Sequence, residues 1–71
     1  MYVIKTSRLG SKRKHIVGKA KTHEKAWALI VETLAERGIT PYYYRSWKKD
    51  DSNTEQVDYG SHTEFFYIIK T

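Results

Sequence analysis

Tyr43, Arg45, Trp47 and Lys49 alternate ring and cation at every second position, the spacing that sets side chains on one face of a β-strand. Flat rings interleaved with positive charges suit single-stranded nucleic acid, because bases stack on the rings while phosphates meet the cations. Packing or a homodimer contact is the competing use of the same residues, since Tyr and Trp also favour strands. Tyr42 and Tyr44 have the opposite parity and are expected to lie beneath a helix.

A second group of charges stands near the start of the chain. Residues 1–25 hold eight bases (Lys5, Arg8, Lys12, Arg13, Lys14, Lys19, Lys21, Lys25) and one acid, Glu24, a local balance of +7. The rest of the chain balances at −2, so the whole net charge of +5 comes from the N-terminal third. Such a gradient steers toward an extended anion, above all a phosphate backbone. Arg8, Lys12, Arg13 and Lys14 are expected at the tip of a hairpin, with Lys5, Lys19 and Lys21 enlarging the same region. The alternative is a solvated hairpin whose charge serves solubility alone.

Other reactive residue types are scattered. His15, His23 and His62 are far apart and have no paired ligand spacing, so neither a metal site nor a general base is expected. Ser61 and His62 are neighbours, which in a strand point to opposite faces and cannot pair as nucleophile and base. Asp50-Asp51-Ser52-Asn53 lacks the twelve-residue pattern of a calcium loop and reads as a turn. There is no cysteine, hence no disulfide and no thiolate metal site. Neither a catalytic centre nor a cofactor is expected.

The elements that position these residues follow from hydrophobic period and turn chemistry. Tyr2–Ser7 is a β-branched and aromatic strand ending near Gly10. His15–Ala20 is a second strand, with Ile16, Gly18 and Ala20 on one face and His15, Val17 and Lys19 on the other. Thr22 caps the helix that follows, and Glu24 in its first turn complements the dipole. Trp27, Ile30, Val31 and Leu34 form its apolar stripe at i, i+3, i+4 and i+7. Gly38 fits the left-handed position after the helix, with Ile39 folding back on Leu34, and Pro41 prevents resumption. Tyr42–Lys49 and Thr63–Lys70 are further strands. Thr54–His62 either extends their hairpin with a bulge at Gly60 or forms a polar loop.

The expected fold is therefore a single α+β domain of 71 residues, two-layered and ordered ββαββ. One helix packs on one face of a four-stranded mixed sheet of order 2-1-4-3, the central pair parallel and the lysine-bearing strands at the edges. One helix covers one face only; the other meets solvent or a partner. The recognition folds for RNA do not fit: Thr63-Glu64-Phe65-Phe66-Tyr67 lacks the glycine-containing aromatic motif of one, and the element order rules out the other. A helix-turn-helix would need a second helix.

No segment approaches the roughly 20 apolar residues that span a bilayer, and Met1–Thr6 lacks a secretion signal's apolar stretch, so a cytoplasmic protein is expected. The function expected is non-enzymatic binding of DNA or RNA through phosphates, by the basic hairpin and the aromatic, basic sheet face. The rival is a protein-interaction module, an adaptor or inhibitor, or a homodimer closed through the open sheet face.

Overall fold

The computed structural model describes residues 1–71 apart from 9, 11, 12, 50–52 and 62. Lys12, His62 and most of the turn at 50–53 lie outside the described residues. Six elements follow one another: β1 (Tyr2–Arg8), β2 (His15–Ala20), α1 (His23–Glu36), β3 (Arg45–Lys48), β4 (Thr54–Asp58) and β5 (Glu64–Lys70). They build an α+β fold, one helix packed on a five-stranded sheet of order β2-β1-β5-β4-β3.

Every pairing in the sheet is antiparallel, which corrects the four-stranded mixed sheet. The segment Thr54–Asp58 is a strand of its own, hydrogen-bonded between β3 and β5. Each added hairpin reverses the chain, so the extra strand turns β5 antiparallel to β1 instead of parallel. The neighbours are otherwise as read from charge and apolarity: β1 and β5 lie inside and the lysine-bearing β2 and β3 form the edges. No bulge marks Gly60, which instead occupies the β4–β5 connection with φ of +92°. At the far end of β1 and β5 the chain termini are tied together, the Thr71 amide donating to the Met1 carbonyl at 2.9 Å.

The helix begins where capping chemistry places it. Thr22 Oγ1 accepts from the Lys25 amide at 3.1 Å, satisfying one of the donors that a first turn leaves without a partner. It ends in a Schellman motif: the Gly38 amide donates to the Ala35 carbonyl at 3.0 Å and the Ile39 amide to the Leu34 carbonyl at 2.9 Å. That closure needs Gly38 at φ +72°, a left-handed conformation that a Cβ disfavours.

The buried stripe of α1 is Ala26, Ile30 and Leu34, packed on Ile4, Val57, Tyr59, Phe66 and Ile68. Val31 does not belong to it and stays 47% exposed. The helix lies over the β1–β2 side of the sheet, where Gly18 lets Leu29 approach closely; a Cβ there would stand 2.8 Å from Leu29 Cδ2. Trp27, one turn before Val31, reaches toward β3 and meets Tyr44 edge-on at 5.7 Å between centroids. Among the described residues, no helix is long and apolar enough to cross a membrane.

Candidate nucleic-acid interface

Strand register assigns side chains to the face that α1 leaves uncovered. Trp47 stands opposite Gln56, Gln56 opposite Tyr67, Tyr67 opposite Lys5 and Lys5 opposite Ile16. These five form one row across the whole sheet. On one side of it, Arg45 faces Asp58 and Ser7 faces Phe65. On the other, the Lys49 amide donates to the Thr54 carbonyl, Thr54 faces Ile69, Ile69 faces Val3 and Val3 faces Lys19. Neighbouring strands lie about 4.8 Å apart, which puts the Trp47 and Tyr67 backbones about 10 Å from each other.

Tyr67 is the centre of this surface. Its hydroxyl accepts from Ser7 Oγ at 3.3 Å. Lys14, just before β2, sets its Nζ 4.3 Å from the ring centroid, and Lys49, just after β3, sets its own at 5.6 Å. The two lysines approach this one ring from opposite edges of the sheet, and Tyr67 is 7% exposed. Toward the β3 edge, the Arg45 guanidinium lies 5.1 Å from the Tyr43 ring centroid and donates to Asp58 Oδ2 at 2.9 Å. Its pKa is raised, first by the Asp58 hydrogen bond and then by Tyr43. Tyr43 and Trp47 remain 47% and 43% exposed.

The charges are sorted between the two sides of the molecule. Among the described residues, register and contacts give the open face five bases (Lys5, Lys14, Lys19, Arg45, Lys49) and one acid, Asp58. The remaining described acidic side chains, Glu24, Glu32, Glu36, Glu55 and Glu64, sit on the helix or on helix-facing strand positions. Bases occur on both sides, so the segregation of the acids is what polarises the surface.

Most of the residues selected from the sequence are thus brought together, but not all. Arg8 caps β1 opposite Glu64 and lines a shallow cleft on the helix side with His15, Arg37 and Tyr59. Lys21 follows β2 in the bend before the helix, and Arg13 is exposed just before β2. Tyr42 is not beneath the helix but 91% exposed, because β3 begins only at Arg45. Ile16 is also re-assigned. A register shift between Ile4 and Lys5 pairs Ile4 with Gly18 but Lys5 with Ile16, so Val17 is the extra residue and turns toward the core while Ile16 emerges on the open face. Tyr67, the central residue, was missed. Its signal lay in Phe65, Tyr67 and Ile69 recurring at every second position of β5, masked by Phe66 and Ile68 between them.

The helix-side cleft holds a carboxylate whose donors are already supplied. Glu64 accepts from Tyr59 hydroxyl at 2.6 Å, Thr6 Oγ1 at 3.0 Å and Arg37 Nη1 at 3.0 and 3.1 Å. Burial alone would push this carboxyl up, but the hydrogen bonds from Tyr59, Arg37 and Thr6 outweigh it and hold it below the usual carboxylate range. Burial and the same carboxylate push the Tyr59 hydroxyl up. This network fastens the end of α1 to β1 and β5. Of the histidines, His23 pairs with Glu55 and His15 is exposed; among the described residues no cluster of three or more metal-ligating side chains occurs. Comparison with family models, curated proteins and solved structures finds no match.

Proposed function

We propose that this protein is a non-enzymatic nucleic-acid-binding module that receives a phosphate backbone on its open sheet face. One observation carries the reading: among the described residues, five bases and a single acid, itself engaged by Arg45, surround half-exposed rings on a face that the fold leaves uncovered. Phosphates supply most of the affinity of such surfaces, with limited sequence preference. DNA and RNA share that chemistry. The same charges weigh against the homodimer, because a two-fold contact through this face would set five bases against five.

The test is titration of mixed-sequence oligonucleotides over a range of salt. Log affinity is expected to fall linearly with log salt, and replacing Lys14, Lys19 and Lys49 together by Ser should flatten the slope by about 0.7 for each lost contact on a single strand, or about 0.9 on duplex. No binding at low salt would overturn the reading. A wild-type dimer that Trp47→Ala dissociates in sedimentation would favour the protein-interaction reading instead.

A further inference from the structure

Tyr67 is the ring at the centre of the open face, yet two lysine ammonium groups lie against it. Cation–π contacts at an exposed site are weak, and a lysine head readily leaves a ring for water or an anion. Drawing two like charges over one ring brings them within 9.9 Å of each other, the sum of their distances from its centroid. Their mutual repulsion is relieved when an anion joins them. A phosphate group on either side of the ring would draw each ammonium outward and expose the ring between them.

We infer that Tyr67 is a covered stacking platform, and that the face takes single-stranded rather than duplex nucleic acid: one unpaired base settles on the Tyr67 ring as Lys14 and Lys49 swing to the flanking phosphates. The inference rests on the nucleic-acid reading and adds the strandedness of the ligand and the seat of a base. A paired base has both faces occupied within its stack and cannot stack on a side-chain ring in the sheet, whereas an unpaired base can. Geometry supports the same occupant. Tyr67 has Lys5 beside it on β1 and Trp47 two strands away in the same row, so cations and a second ring extend along the sheet in the direction a strand of nucleotides would follow.

The wild-type protein suffices for the test. The ε-methylene protons of Lys14, held over the ring, should resonate upfield in the free protein. Saturation with a thymidine octamer should abolish that ring-current shift and move the Tyr67 ring signals. An octamer of abasic sugar-phosphate units should bind about tenfold or more weakly, and duplex of the same length more weakly than the thymidine octamer. Tyr67→Phe, which keeps the ring, should bind as wild type does, and Tyr67→Leu should lose about tenfold or more. Equal affinity for the thymidine and abasic octamers, or a Lys14 signal that stays upfield in the saturated complex, would overturn the platform while leaving phosphate binding intact. Preference for duplex would overturn it in the same way. No binding of any of the three at low salt would remove both proposals.

Discussion

Glu64 illustrates how much one side chain can settle in so small a domain. Its carboxylate takes three kinds of donor at once, from β1, from the residue that caps α1 and from the β4–β5 connection. Glu55 plays a similar part at the other end of the helix; burial pushes its carboxyl up, but hydrogen bonds from His23 and Ser46 and the nearby Lys48 hold it below its usual range. Both carboxyls therefore have folded-state pKa values beneath the unfolded value of about 4.3. The stability they contribute is fully present above that value and is lost as pH falls through the lower folded-state value. Thermal midpoints should accordingly hold near neutrality and drop on acidification below about pH 4.5. Glu64→Gln should cost about 1–3 kcal/mol at pH 7 and show a shallower acid dependence, its curve approaching that of wild type at low pH. An unchanged slope in the variant would mean that Glu64 contributes nothing to acid unfolding.

Helix α1 was legible from its caps but only partly from its stripe. Thr22 and Gly38 act through local backbone chemistry, which depends on a few adjacent residues and little on the rest of the fold. The stripe depends on what the sheet presents, and here Ala26 was overlooked while Val31 was included. The off-centre seat of the helix over β1 and β2 accounts for Ala26, which is small enough for close approach, while Val31 stays 47% exposed. Leu34→Ala should cost about 2–5 kcal/mol, the range for a large-to-small change in a packed core. Val31→Ala should cost far less, close to the exposed control Glu32→Ala. Melts of the three variants check this; equal losses for Leu34→Ala and Val31→Ala would show that the stripe runs through Val31 after all. The edge strands carry a parallel lesson. Alternation placed Arg45, Trp47 and Lys49 on one face correctly, but on β2 it failed at the register shift, where one extra residue reverses the faces before and after it.

Fold class was readable because one amphipathic helix among aromatic and β-branched runs leaves few two-layer solutions. Sheet direction was not, since Thr54-Glu55-Gln56-Val57-Asp58 is polar at four of its five positions and resembles a loop until its neighbours are known. Its polar residues are accommodated by partners far away in sequence: Glu55 by His23 and Asp58 by Arg45. The proposed binding surface depends on the same long-range assembly, because Lys14 and Lys49 come together with Tyr67 only after both edges are in place.

The hydrogen bond between Thr71 and Met1 ties the outer ends of β1 and β5 together, and this bears on how fast the domain folds. β1 and β5 pair from Tyr2 with Lys70 to Arg8 with Glu64, so the central ladder joins the first strand to the last and must wait until nearly the whole chain has been drawn together. Such non-local pairing is slow, its entropy being spent before contacts reward it. A circular permutant that links Thr71 to Met1 by a few glycines and opens the chain in the exposed connection near Thr40 would turn that pairing into a neighbouring hairpin. Its refolding in stopped-flow measurements should be faster than that of the native order. An unchanged or slower refolding rate would show that closing the central ladder does not limit folding.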